Sequence, residues 1–153
     1  MSKLGIAKLA IPLSIVVTTA SWGHEHHDHG KVTGVVRVRM DAMAEMARRM
    51  KSITKRVRSN QMLASVPEDA NVVKDLAAKI VPLFPPGSMH PPTEATPAIW
   101  KDFGDFETKA KALEREAQKL ADMKAVDAKA LATQAKAVTE TCSACHERFR
   151  IRQ

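Results

Sequence analysis

The sequence of 153 residues is poor in aromatic residues and in cysteine. It contains no tyrosine, two tryptophans and four phenylalanines, and only two residues separate its two cysteines. A disulfide between them would close a tiny loop, which excludes a small domain held together by disulfides. The hydrophobic fraction of 44% and the charged fraction of 27% are typical of a globular protein, and the length suffices for one domain with its own core.

Nucleic-acid binding is disfavoured, although the formal net charge is +7. Lys3 and Lys8 lie in an N-terminal segment that we expect to be removed, which would lower the charge from +7 to +5. The remaining basic residues form no stripe interleaved with aromatic side chains, the pattern typical of nucleic-acid binding. We therefore expect no nucleic-acid partner.

Residues 1–23 are predicted to be a signal peptide. Lys3 and Lys8 form its basic start, an apolar run covers residues 9–19, and small residues follow, so that cleavage is expected after Ala20 or Gly23. The apolar run is too short to cross a bilayer, and an uncleaved anchor is the less favoured alternative. The chain should therefore meet the membrane only during export and reside in the periplasm.

The residues directly after the signal peptide, 24–31, are predicted to form a mobile tail. Four of the six histidines lie between His24 and His29, in a stretch without apolar periodicity. Closely spaced imidazoles can bind copper, zinc or nickel. A polar tail without a function is the competing interpretation.

Residues 32–153 show the pattern of an all-α protein. Apolar residues recur at intervals of three and four, which indicates helices with one buried face. No strand pattern competes, and a loop rich in proline separates the second predicted helix from the third. The predicted helices cover about 32–59, 67–82, 98 or 103 to 123, and 127–149, with Asp127 as the N-cap of the last. We expect an antiparallel four-helix bundle.

The segment Cys142-Ser143-Ala144-Cys145-His146 has the spacing C-x-x-C-H, the attachment sequence for a c-type haem. On a helix, residues at i and i+3 share a face, so both thiols can reach the two vinyl groups along one porphyrin edge. His146 follows on the same face and can place an imidazole nitrogen on the iron. We predict one covalently attached haem c, bound through Cys142 and Cys145, with His146 as an iron ligand.

Other chemistries fit this segment less well. A structural zinc site needs four ligands, and the remaining candidates lie only in the histidine-rich tail. A thioredoxin-like redox pair expects a βαβ context, which a helical chain does not provide. We find no convincing nucleophile–base pair, phosphate loop or paired carboxylates, since Glu114 and Glu116 lie on a solvated helix among lysines. We do not expect an enzyme.

The residue that faces the iron from the other side should come from the start of the first helix. In an up-and-down bundle this helix runs antiparallel beside the fourth, and the motif lies near the end of the fourth. Met40 and Met43 are the contenders. Met50 lies about 10 Å beyond Met43 along the axis at 1.5 Å per residue, and Met46 and Met50 are interpreted as core residues.

The sequence resembles the class II cytochromes c, the cytochrome c′ group, from about residue 32 to residue 150. The resemblance rests on C-x-x-C-H close to the C-terminus, followed by Phe149-Arg150, and on Leu83-Phe84-Pro85-Pro86-Gly87 leading to Trp100. It also rests on Arg39-x-x-x-Met43. Met40 departs from the glutamine that is common in the family.

This resemblance implies a left-handed four-helix bundle that is often dimeric, so a homodimer is possible. It places Arg39 near a haem propionate, Met43 at the distal iron position, and Arg150 near the proximal imidazole. If the Met43 thioether binds the iron, the haem is six-coordinate and low-spin, and the protein carries electrons to or from a redox partner that the sequence does not identify. We expect this function. The alternative is a five-coordinate, high-spin haem that binds nitric oxide or carbon monoxide.

Overall fold

The computed structural model describes residues 34–124 and 127–152, and it contains five helices in these ranges. The signal peptide predicted at 1–23 and the tail predicted at 24–31 lie outside the described residues. The helices are α1 (Gly34–Ser59), α2 (Val66–Ala77), α3 (Ala98–Lys101), α4 (Phe103–Ala121) and α5 (Ala128–Phe149). Four of them are long and form the predicted bundle, whereas α3 is a single turn that leads into α4. The all-α fold class is confirmed.

Packing among the long helices follows their order in the chain. α1 packs against α2 and α5, and α4 packs against α2 and α5. The first and last long helices are therefore neighbours, as the sequence predicted for an up-and-down bundle. Within the described ranges, no helix combines the length and the apolar character that crossing a membrane requires.

The core consists of the apolar faces that the sequence periodicity indicated. Met46 and Ile53 of α1, Phe106 of α4, and Leu131 and Val138 of α5 are buried. Burying side chains of this size contributes about 1.5–3 kcal/mol each to the free energy of unfolding. The interpretation of Met46 as a core residue is confirmed.

One helix boundary differs from the prediction, and of the two starts predicted for the third long helix the structure has the later one, Phe103. Asp102 interrupts the third predicted helix with φ −135° and ψ 60°, and its carboxylate then caps α4 by accepting from the Asp105 backbone N–H at 3.4 Å. α2 ends at Ala77, before the predicted end at Pro82, and the chain tightens into a 3₁₀ turn at Val81–Leu83. Pro82 has no N–H to continue the helical bonding and restricts the residue before it, which explains the early end. Asp127 caps α5, as predicted, by accepting from the Lys129 backbone N–H at 2.8 Å.

A buried carboxylate joins α1 to α2. Asp69 of α2 has a side chain that is 7% exposed, and it binds Arg49 at 2.7 Å and also binds Arg56, both of α1. The two arginine side chains are 31% and 25% exposed, so the cluster lies at the edge of the helix interface.

Replacing Asp69 with alanine is expected to lower the free energy of unfolding by about 1–3 kcal/mol. The substitution leaves two half-buried guanidinium groups without their shared acceptor, and partial solvation reduces the loss below that of a fully buried pair. Denaturant unfolding measures the change. Asp41→Ala is the control, because Asp41 pairs with Arg37 on the exposed face of α1 and its loss should leave stability near the wild-type value. Equal midpoints for the two variants would contradict the prediction.

Candidate haem site

The C-x-x-C-H segment lies in the last two turns of α5, which ends at Phe149. Cys142 and Cys145 are half-buried and pack against the hydrophobic core, whereas His146 is exposed. No disulfide joins the two cysteines. The helix therefore presents two thiols at the margin of the core and an imidazole one residue further on.

Both thiols are held in their neutral form. Burial raises the pKa of Cys142 and raises that of Cys145 to about 11, although the nearby Lys109 charge opposes the shift at Cys145. A zinc site or a redox pair works through thiolates. In addition, within 34–124 and 127–152 no group of three or more histidine, cysteine or acidic side chains lies close enough to hold a metal ion. Two half-buried, neutral thiols at positions i and i+3 of one helix fit thioether attachment of a haem.

The imidazole of His146 is also favoured in its neutral form. Although His146 is exposed as a whole, partial desolvation lowers its pKa, the charge of Arg150 lowers it further, and Glu94 acts in the opposite direction. Neutral imidazole is the form that binds a metal. Arg150 itself pairs with Glu94, with Nε and Oε2 2.5 Å apart.

Backbone hydrogen bonds attach the end of α5 to residues 94–96. The Thr96 N–H donates to the Phe149 carbonyl at 3.0 Å, and the Ile151 N–H donates to the Glu94 carbonyl at 2.8 Å. An isolated β-bridge between Ala95 and Arg150 accompanies these bonds. The last turn of α5, which carries His146, is thereby held in place.

On α1, the structure distinguishes the two methionines that contend for the distal position. Met43 is half-buried and packs against the hydrophobic core, as do Cys142 and Cys145. Met40 is half-buried without being part of that packing. Met43 is therefore the methionine of this pair that shares the core margin with the two cysteines.

Arg39, one helical turn before Met43, is 4% exposed. Its Nε and Nη2 donate to the Leu83 carbonyl at 3.1 and 2.8 Å, and its Nη2 also donates to Ser88 Oγ at 2.8 Å. Its Nη1 donates to Thr93 Oγ1 at 3.0 Å and to the Ser88 carbonyl at 3.4 Å. All five N–H groups of the guanidinium thus bind neutral acceptors of one loop, and burial lowers the pKa of Arg39.

Aromatic side chains pack against one another between this loop and the end of α5. The ring of Phe106 lies 4.8 Å from Phe84, 5.8 Å from Phe103 and 5.5 Å from Phe149 between centroids. The guanidinium of Arg39 stacks over Phe84 at 3.9 Å from the ring centroid. Sequence reasoning missed the roles of Ser88, Thr93 and Glu94, because isolated polar residues in a loop form no motif.

Comparisons with known proteins agree on the family. The family model described as "Cytochrome C'" matches residues 34–150. Cytochrome c-556 of Agrobacterium tumefaciens (strain II Chrys) is 34% identical over 94 residues, which are 57% of this chain and 76% of the relative.

Two solved structures show the same fold. Cytochrome c′ from Thermochromatium tepidum is 26% identical with a TM-score of 0.72, covering 77% of this chain and 95% of its own. A nitric oxide complex of a mutant cytochrome c prime from Alcaligenes xylosoxidans is 28% identical with a TM-score of 0.71, covering 78% of this chain and 94% of its own. Because the family model covers most of the chain and the C-x-x-C-H segment lies at the end of α5, this chain belongs to the cytochrome c′ family and carries one covalently attached haem c.

Proposed function

We propose that this protein binds a diatomic gas, nitric oxide or carbon monoxide, on the side of the haem that faces α1. Cys142 and Cys145 attach the haem, His146 binds the iron, and Met43 covers the opposite side without binding. The observation that carries the proposal is the likeness to cytochrome c′ structures, among them a complex with nitric oxide. The packing of Met43 against the apolar core supports a covering role.

The residues around the site suit this role. When bound, the haem supplies an iron that can take one small ligand and change its charge by one electron. The neutral imidazole of His146 is ready to bind metal, and the bonds from residues 94–96 hold its helix end. Met43 contributes an apolar surface that excludes water, and it has no N–H or O–H group that could donate a hydrogen bond to a bound gas.

Electron transfer with Met43 as the second iron ligand is the other candidate. The sequence favoured it, because a thioether is a soft ligand that a branched apolar side chain cannot replace. The methionine at this position and the likeness to cytochrome c-556 support it. The comparisons nevertheless support the gas-binding alternative better, since the family model and the solved structures are of cytochrome c′.

The optical spectrum of the purified protein tests the proposal. We expect a high-spin Soret band in the ferric protein, no methionine–iron charge-transfer band, and a shifted Soret band when carbon monoxide is added to the ferrous protein. A low-spin ferric spectrum with the charge-transfer band, and no response to carbon monoxide, would instead establish electron transfer.

The location and the partners are part of the same proposal. Export to the periplasm rests on the signal peptide predicted at 1–23. The homodimer and the metal-binding tail at His24–His29 stay predictions. Cell fractionation with haem staining would test the location, because a cytoplasmic holoprotein would contradict it.

A further inference from the structure

Residues 83–96 follow α2 in the chain and make contacts with both α1, which carries Met43, and the end of α5, which carries His146. We call them the bridging segment. Leu83, Ser88 and Thr93 of this segment accept all five hydrogen bonds of Arg39, which lies one turn before Met43. At its last residues the segment pairs with the chain that directly follows His146.

The Arg39 end of the bridging segment is unusual in its electrostatics. Within 34–124 and 127–152, Arg39 is a buried cation whose protein acceptors are two carbonyls and two hydroxyls. Ser88, which is 5% exposed, contributes two of these acceptors and donates its own hydroxyl proton to the Pro85 carbonyl at 2.8 Å. A buried charge of this kind is tolerated only when its donors are satisfied, and here the loop satisfies them.

The resemblance to class II cytochromes assigned Arg39 to a haem propionate. The hydrogen bonds favour a different role for Arg39. Its N–H groups already donate to Leu83, Ser88 and Thr93, so a propionate would have to share these donors or displace the loop acceptors. Three separate points of one loop are thereby fixed to a single side chain. Loss of the guanidinium would leave the acceptors at buried Ser88 unpaired.

The opposite end of the bridging segment lies beside the proximal helix. Glu94 binds the Arg150 side chain and accepts from the Ile151 N–H, and Thr96 donates to the Phe149 carbonyl. These contacts begin three residues after His146. The same segment therefore contacts Arg39 of α1 and the end of α5.

We propose that Arg39 is a positioning residue that latches the bridging segment to α1, and that the segment ties the two iron-facing helices together and keeps water from the site between them. The inference rests on the fold and on haem attachment. It holds whether Met43 covers the iron or binds it, so its failure is distinguishable from failure of the proposed function.

The test uses variants of the full holoprotein that keep the positive charge at position 39. Arg39→Lys retains the charge and loses the planar fork of donors. The double variant Ser88→Ala/Thr93→Val keeps Arg39 itself and removes two of its acceptors. It also removes the Ser88 hydroxyl bond to Pro85 and the Ala95 N–H bond to Thr93 Oγ1, which Arg39→Lys leaves in place, so the two variants are measured together. Arg37→Lys is the matched control, since Arg37 lies two residues earlier on α1 and pairs with Asp41 at 2.9 Å on the outer face.

Two measurements test whether Arg39 holds the bridging segment against α1. Hydrogen exchange at the amides of Ser88 and Thr93, which bond within the segment to Pro85 and His90, should accelerate about tenfold or more in both variants and stay unchanged in Arg37→Lys. The reduction potential of the haem should fall in both variants, because admitted water stabilises the oxidised, more highly charged form. The potential is measurable for either coordination of the iron.

Three results would overturn the proposal. Wild-type exchange in the double variant would show that Ser88 and Thr93 do not latch the segment, and this variant decides alone if Arg39→Lys does not fold. If the reduction potential changed in Arg39→Lys but stayed at the wild-type value in the double variant, Arg39 would act on a haem propionate and not through the bridging segment. Faster hydrogen exchange without any shift in the reduction potential would show that the Arg39 contacts order only the loop and do not affect the haem site.

Discussion

Alanine at both Cys142 and Cys145 is expected to abolish covalent haem attachment. The two half-buried thiols are the only cysteines of the chain, so no other thioether can form. The double variant should show no haem stain after denaturing electrophoresis, whereas the wild-type protein keeps its stain. Each single variant retains one thiol and should keep part of the stain. Ser143→Ala, a change at the exposed residue between the cysteines, is the control and should attach haem fully.

Loss of attachment should also weaken the fold. A group that binds the native chain and stays linked to it adds to the free energy of unfolding, and a group that can dissociate adds less at low concentration. The unattached protein would rely on the His146 bond and on apolar contacts to retain the haem. We therefore expect a lower melting temperature for the double variant and a dependence of that temperature on added haem. Covalent haem in the double variant would contradict the assignment of the two cysteines.

Features that depend on neighbours in the chain were predictable from the sequence. The C-x-x-C-H spacing requires only one helix face, the Asp127 cap requires only the next two residues, and the burial of Ile53 follows from periodicity. The family resemblance then directed attention to Met43. These local signals were sufficient for the bundle and for the residues that attach the haem.

Features that depend on distant contacts were not predictable in this way. Arg39 meets Ser88 and Thr93 across 49 and 54 positions, and no periodicity links a loop hydroxyl to a helix arginine. The choice between the two predicted starts of the third long helix is a second example, because Asp102 both stops α3 and caps α4. A single aspartate inside an apolar pattern is equally compatible with one continuous helix. The role of Met43 is a third case, since its side chain can either cover a site or bind within it.

Alanine at Met43 is expected to open the gas site. The side chain is half-buried at the core margin, and its removal should speed the association of carbon monoxide by about tenfold or more, equivalent to about 1.4 kcal/mol of barrier. The ferric spectrum should stay high-spin. Flash photolysis of the carbon monoxide complex measures the rate. Met50→Ala is the matched control, because Met50 is also half-buried against the core but lies about 10 Å further along α1.

Leucine at the same position separates the two candidate functions. If Met43 only covers the site, Met43→Leu keeps an apolar side chain of similar volume, and both the spectrum and the carbon monoxide rate should stay near wild type. If its sulfur binds the iron, leucine cannot replace it, and Met43→Leu should shift the spectrum from low-spin to high-spin just as alanine does. A wild-type spectrum in both variants would show that Met43 is no ligand, and an unchanged rate in Met43→Ala would remove it from the gas site altogether. Coordination by one sulfur atom thus decides between a gas-binding protein and an electron carrier on the same four-helix scaffold.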